Sequence, residues 1–155
     1  MRAAPAVAAV VLVALAVASS ASGKIVLQHG MAGISLGMTK AKVRATLGDP
    51  LKIVNTRNEF GAYTQFDYPS VTVLFQSGSR VTALRTRNRS ERTAAGVGVG
   101  SSESDVRLKV PKVRCRNEVG FHHCYVGVFK PGHVITDFLI RNGRVNLVVV
   151  GRVLD

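Results

Sequence analysis

The chain has 155 residues, 46% of them hydrophobic, which suits one domain with a packed core and argues against a disordered chain. Its 21 lysines and arginines against 9 aspartates and glutamates give a formal net charge of +12. Net charge governs solubility and association rather than fold, so it indicates either an anionic partner or a basic composition without a role of its own.

The N-terminus has the three regions of a secretory signal peptide. Arg2 supplies a positive charge, residues 6–18 form an apolar run, and residues 19–23 are small. The run is shorter than the ~18–20 residues that cross a bilayer as a helix, which disfavours the alternative of a retained membrane anchor. No cysteine comes directly after the run, since the two cysteines are Cys115 and Cys124, which disfavours a lipoprotein. We expect a signal peptide at 1–23, one domain at 24–155 without a transmembrane span, and a secreted or cell-envelope location.

Two stretches of the chain are similar at a nearly constant offset. Residues 33–44 align with residues 96–107 at an offset of 63, and Arg-Val at 80–81 aligns with Arg-Val at 144–145 at an offset of 64. Such internal similarity indicates duplication, although chance similarity in a chain rich in Val and Gly is an alternative. The predicted repeats span about 33–86 and 96–150, with a charged linker between them.

A short helix is predicted near the start of each repeat. Thr39 and Ser102 are natural N-cap residues, because a hydroxyl accepts a hydrogen bond from a free backbone N–H. We expect a first helix over 39–47, ended by Gly48 and Pro50, and a second helix that begins at Ser102 and ends by Pro111.

Strands are predicted where β-branched and aromatic residues lie between turn signals. They are 63–68, 71–75 and 81–86 in the first repeat, and 124–129, 133–140 and 145–150 in the second. Asn142-Gly143 between two apolar runs predicts a hairpin. The expected fold class is α+β: each repeat is a short helix plus a three- to four-stranded antiparallel meander, and the helices cover one face of the sheet.

The first repeat resembles a known family in the string Gly37-Met38-Thr39-Lys40-Ala41-Lys42-Val43 and in Leu47-Gly48-Asp49-Pro50 after it. These strings are similar to those of the small lipoproteins of the outer-membrane barrel assembly machinery, the SmpA/OmlA family. Two such units in tandem also resemble the secreted β-lactamase-inhibitor proteins. The resemblance implies helices against one face of an antiparallel sheet and a concave surface that binds other proteins. The chain departs from the lipoprotein family in its lack of a lipidated cysteine, so the resemblance does not imply the membrane-anchored role.

The two cysteines are expected to form a disulfide, because cysteines of exported proteins usually pair. Cys115 and Cys124 enclose eight residues, so the bond is expected to pin a hairpin or a corner. A zinc site that adds His122 and His123 to the two thiolates is an alternative. Because His123 and Cys124 are adjacent, they are poorly placed to bind one ion, and we expect neither a metal nor a cofactor.

Four arginines near the end of the first repeat are the candidate binding residues. In an extended segment Arg85, Arg87 and Arg89 point to the same side, and Arg92 follows in the linker. This basic ridge predicts a contact with an anionic partner, and a solvated linker is the alternative.

The sequence offers no catalytic constellation. Its 9 carboxylates and 4 histidines are scattered, and Asp67 and Asp137 in predicted strands suit ion pairs with arginine. We expect a non-enzymatic exported protein-binding module, of the inhibitor or envelope-accessory type, whose partner is an extracellular or envelope protein and not a nucleic acid. A basic surface protein that binds anionic lipid or wall polymer is one alternative, and a small secreted hydrolase is another.

Overall fold

The computed structural model describes residues 24–154, and the predicted signal peptide lies outside them. The first part contains three two-residue strands, β1 (Lys24–Ile25), β2 (Gly30–Met31) and β3 (Ile34–Ser35), followed by helix α1 (Lys40–Leu47). Four strands come next: β4 (Lys52–Asn58), β5 (Gly61–Asp67), β6 (Thr72–Gln76) and β7 (Ala83–Thr86). Strand β8 (Arg92–Thr93) and helix α2 (Glu103–Lys109) precede β9 (Arg114–Glu118), β10 (Phe121–Val126), β11 (Val134–Arg141) and β12 (Arg144–Arg152).

The predicted α+β class, built from tandem helix-plus-meander repeats, is wrong. Strands account for 49% and helices for 11% of the structure, so the fold is mostly β. The two helices have eight and seven residues, and each buries one residue fully, Val43 in α1 and Val106 in α2. The strands dominate because both groups of four join edge to edge in one sheet of eight, in the order β4-β5-β6-β7-β12-β11-β10-β9.

All pairings in this large sheet are antiparallel, and β7 pairs with β12 at its centre. The six predicted strands are present, with ends shifted by no more than three residues. The predicted hairpin at Asn142-Gly143 joins β11 to β12, and both residues have the positive φ, 51° and 70°, that its tight turn requires. The two edge strands, β4 and β9, were not predicted, because their residues are mostly polar and exposed.

The core lies between one face of the sheet and the helices. Its central strand residues are cross-strand neighbours on that face and are buried: Phe66, Val73, Phe75, Leu84, Val148, Val150, Phe138 and Cys124. Val43 and Val106 bring the helices into the same cluster. The other face of the sheet is called the open face below.

Both helices begin at the predicted N-caps. Thr39 Oγ1 accepts from the Lys42 N–H at 3.2 Å, and Ser102 Oγ accepts from the Asp105 N–H at 3.1 Å. Gly48 ends α1 with φ of 81°. Within residues 24–154, neither helix has the length and apolar character that a bilayer crossing requires. The division into repeats 33–86 and 96–150 stays a prediction.

Candidate functional site

The open face runs without interruption from β6 to β9. Residues opposite each other in neighbouring strands lie on the same face, and the pairs Thr72↔Arg85, Arg85↔Val149, Val149↔Asp137, Asp137↔Tyr125 and Tyr125↔Arg114 connect these strands. Along each strand these residues alternate with the core residues, which lie on the opposite face, because successive strand residues point to opposite faces. The open face therefore carries two distinct groups of side chains, one at each end.

The first group, the aromatic–arginine cluster, consists of Arg116, Phe121, His123, Tyr125 and Phe129. The His123 ring centre lies 5.0 Å from that of Phe121, 5.2 Å from that of Tyr125 and 5.6 Å from that of Phe129. The Arg116 guanidinium stacks over Tyr125 at 5.0 Å and over Phe129 at 5.4 Å. Phe129 follows β10 and folds back onto the open face, so this loop completes the cluster.

His123, at the centre of the cluster, pairs with the buried Asp137. His123 Nδ1 lies 2.9 and 3.1 Å from the two Asp137 carboxylate oxygens, and the imidazole is 1% exposed. Arg116 Nε lies 3.5 Å from His123 Nε2, so the two ring nitrogens of His123 face Arg116 on one side and Asp137 on the other. Glu118 forms an ion pair with Arg116 at 2.6 Å. A chain of polar contacts therefore fixes the position of Arg116.

Burial raises the pKa of the Asp137 carboxyl, and the His123 hydrogen bond together with the charges of His123 and Arg116 opposes this rise. The sequence suggested Asp137 as a surface partner for arginine and His123 as a zinc candidate, and it gave no sign that they pair. Their pairing requires the β10–β11 register, which places His123 beside Leu139 and Tyr125 beside Asp137. Because the imidazole is covered by aromatic rings, the arrangement suits a rigid support and not a solvent-facing base.

The second group is a polar network on β5, β6 and β7. Arg85 donates to Gln65 Oε1 at 2.8 Å, and the Tyr63 hydroxyl donates to the same oxygen at 3.1 Å. Gln65 Nε2 donates to both oxygens of Asp67, at 2.7 and 3.0 Å, and Thr72 donates to Asp67 Oδ1 at 3.0 Å. These bonds hold the Arg85 side chain in place, and Arg85 forms no ion pair with any residue of the described chain.

An open cavity of about 530 Å³ adjoins this network. It lies where β7 ends and β6 begins, and none of its lining residues is acidic: Tyr68, Pro69, Ser70, Val71, Thr72, Arg85, Thr86, Arg87, Asn88 and Leu147. Arg85 and Arg87 are its two cations. We call it the arginine cavity.

The predicted basic ridge is divided by the structure. Arg85 and Arg87 lie together in the arginine cavity, whereas the chain turns after β7 and takes Arg89 to the neighbourhood of Gly100. Arg92 donates to the carbonyl oxygens of Gly96 and Val99, at 2.8 and 3.3 Å, and so braces a loop. The expectation that Arg85, Arg87 and Arg89 share one side fails because the strand ends at Thr86. A binding role for any of the four arginines stays a prediction.

The predicted disulfide is confirmed: Cys115 and Cys124 are bonded and are cross-strand partners in the β9–β10 hairpin. Both sulfurs are therefore unavailable as thiolate ligands for zinc. His122 bonds to Glu103 at 2.9 Å, while His123, one residue on, points to the opposite face. The His122 hydrogen bond, followed by that of Arg107, lowers the pKa of the Glu103 carboxyl. Ligand atoms of His122, Cys124 and Glu103 lie within 4.8 Å of one another, but His123 lies on the opposite face, so the four candidate zinc ligands do not meet at one point.

Comparison with known proteins gives a likeness of fold alone. No family model matches the chain, and no curated protein matches it. The fold is similar to that of YjgB, a DUF4309 family protein from Bacillus subtilis subsp. subtilis strain 168 whose crystal structure is known. The TM-score is 0.52 at 15% sequence identity, and the match covers 84% of this chain and 88% of that one. The disulfide is compatible with an extracytoplasmic protein.

Proposed function

We propose that the protein is an exported, non-enzymatic binding module that recognises an acidic protein through the aromatic–arginine cluster. One observation carries this proposal. Phe121 and Phe129 are 46% and 38% exposed beside an arginine whose position is fixed by stacking and by hydrogen bonds. Aromatic residues, phenylalanine included, and arginine are enriched in the buried centres of protein interfaces.

The rigidity of the cluster supports this function. Within it, His123 is buried and bonded to the buried Asp137, and the disulfide ties β9 to β10, the two strands that carry Arg116 and Phe121. A surface that is ordered before binding loses less conformational entropy when the partner arrives. The aromatic side chains add contact area with few rotatable bonds.

The charge of the chain supports an acidic partner. Arg114 stacks on Tyr125 at 5.5 Å, beside Arg116, and the chain as a whole carries +12. Electrostatic complementarity of this kind speeds encounter with an acidic surface and selects against basic ones. The partner that fits has carboxylates placed around an apolar side chain that can rest between Phe121 and Phe129.

Site-specific photo-crosslinking tests the proposal. A benzophenone amino acid is placed at position 121 on the open face or at position 108, where Leu108 is 83% exposed on helix α2. Each purified variant is irradiated with the secreted and envelope proteins of the source organism, and adducts are identified by mass spectrometry. We expect one discrete acidic protein to be crosslinked from position 121 and not from position 108.

Competition and charge-matched variants supply the controls. Excess unlabelled wild-type protein and R107Q should both suppress the adduct, because Arg107 pairs with Glu103 away from the cluster, whereas R116Q should not suppress it. Equal labelling from positions 121 and 108, or an adduct that R116Q competes fully, contradicts the proposal. Labelling of anionic phospholipid in vesicles, with no protein adduct, favours the alternative of a basic surface protein.

A further inference from the structure

We propose that the arginine cavity is a binding site for a small anionic molecule that carries a carboxylate or phosphate group. This site is separate from the aromatic–arginine cluster, and the proposal goes beyond the protein-binding function and does not depend on it. It begins from the two arginines, Arg85 and Arg87, that face one cavity without any acidic residue in its lining.

Both guanidinium groups retain free donors. Arg85 uses one nitrogen to donate to Gln65 Oε1 at 2.8 Å, and Arg87 uses one to donate to the Asn146 carbonyl at 3.2 Å. A guanidinium has five N–H donors in a planar fork that matches the oxygens of carboxylate or phosphate. The bonds already made fix the orientation of each arginine and leave the remaining donors for a ligand.

Among residues 24–154, Arg44, Arg107 and Arg116 have acidic partners, whereas Arg85 and Arg87, like the remaining arginines, have none. Arg107 pairs with Glu103 and Arg116 with Glu118, each at 2.6 Å, and among residues 24–154 no ion pair includes Arg85 or Arg87. Asp67 lies close by, but its oxygens accept from Gln65 and Thr72. The Asp67 carboxylate therefore makes no direct bond to the Arg85 guanidinium.

The size and lining of the cavity fit a small molecule. A volume of about 530 Å³ lies within the ~300–1,000 Å³ typical of small-molecule sites. Ser70, Thr72 and Asn88 add neutral hydroxyl and amide groups, and Tyr68 and Leu147 add apolar surface. Such a lining can hold the charged group at the arginines and a short carbon chain beside Leu147.

Nuclear magnetic resonance titration of the purified protein tests this site. Backbone amide and arginine Nε–H signals are followed as citrate, glycerol 3-phosphate or, for ionic strength, sodium chloride is added. We expect citrate or glycerol 3-phosphate to shift the signals of Arg85, Arg87, Thr72 and Asn88 along a saturable curve, while chloride gives small linear shifts. Saturation by citrate alone assigns a carboxylate ligand, and saturation by glycerol 3-phosphate alone assigns a phosphate ligand.

Matched substitutions make the outcome decisive. R85Q and R87Q should each weaken binding about tenfold or more, and R85K should weaken it despite an unchanged charge, because lysine lacks the planar fork. R141Q removes the same charge from an exposed residue at the β11–β12 hairpin and should leave binding unchanged. Arg87 is exposed, so R87Q tests the site even if R85Q disturbs the polar network. Shifts that match those of chloride, or an equal loss of binding in R141Q, overturn the proposal.

Discussion

The two halves of the large sheet, β4–β7 and β9–β12, share their main-chain contacts and differ on the open face. The Gly37 N–H donates to the Val81 carbonyl at 2.8 Å in the first half, and the Gly100 N–H donates to the Val145 carbonyl at 2.7 Å in the second. On the open face, the first half has a half-buried polar network and the second has a buried His–Asp pair under aromatic rings. The main-chain hydrogen bonds and the core are therefore similar in the two halves, and the side chains of the open face differ.

Two arginine contacts extend the likeness between the halves. Arg80 donates to the Gly37 carbonyl at 2.9 Å, and Arg144 donates to the Gly100 carbonyl at 3.0 Å. Each contact fastens the loop before a helix to a later strand or to the turn beside it. Substitutions at matched positions can therefore show which properties the halves share.

The largest expected effect tests the shared core. Phe75 on β6 and Phe138 on β11 are both fully buried on the helix side of the sheet. F75A and F138A should each lower the free energy of unfolding by about 3–5 kcal/mol, because each leaves a cavity in close-packed surroundings. Urea denaturation measures both. F121A, at a half-exposed ring, is the control and should lose far less. A small loss in one of the two core variants would show that the halves pack differently.

The next largest effect distinguishes the two halves of the open face. H123A leaves the buried Asp137 without its hydrogen-bond partner and should lower the free energy of unfolding by about 3 kcal/mol. Q65A breaks the polar network, but its partners stay partly exposed to water, so we expect a loss of about 1 kcal/mol. Chemical denaturation at neutral pH compares them. Equal losses would mean that the two networks contribute alike, contrary to their difference in burial.

The pH dependence of H123A sharpens this comparison. Burial raises the pKa of Asp137 in the folded protein, and His123 is the main group that opposes the rise, so H123A should raise it further. Below the pKa of the unfolded chain, Asp137 is protonated in both states and adds nothing to the pH dependence. As the pH rises from there through the folded pKa, the folded state holds the extra proton and stability falls. The loss in the free energy of unfolding caused by H123A should therefore increase with pH. The double variant H123A/D137N has no carboxyl at position 137 and should not show this increase.

The sequence predicts the interior of the sheet better than its edges or its open face. Val71, Val73 and Phe75 alternate with Thr72 and Leu74, so one face is apolar and the other mixed, and this pattern predicts β6. Strands β4 and β9 are edge strands held by neighbours that the sequence does not identify. The disulfide follows from export and cysteine count, and its place in a hairpin is one of the two predicted outcomes. The pairing of His123 with Asp137 depends on strand register across a seven-residue loop, which composition and periodicity do not determine.

The disulfide is a third difference between the two halves, because the corresponding edge hairpin β4–β5 has no cysteine. C115A/C124A should lower the free energy of unfolding by about 2–3 kcal/mol, since the crosslink closes a short loop. Hydrogen exchange should then become faster in β9 and β10 and stay unchanged in β4 and β5. Faster exchange in both hairpins alike would show that the bond stabilises the whole sheet and not its own edge.

The smallest expected effect concerns the helix caps. T39A and S102A each remove the hydroxyl that accepts a backbone N–H at the start of a helix, so each should lower the free energy of unfolding by about 1 kcal/mol. T39S and S102T keep the hydroxyl and should restore most of the stability. Helix α2 has Glu103 and Asp105 in its first turn and α1 has no acidic residue there, so α1 depends more on its cap. A loss in S102A that clearly exceeds the loss in T39A would instead assign the larger role to the Ser102–Asp105 side-chain bond, which α1 lacks.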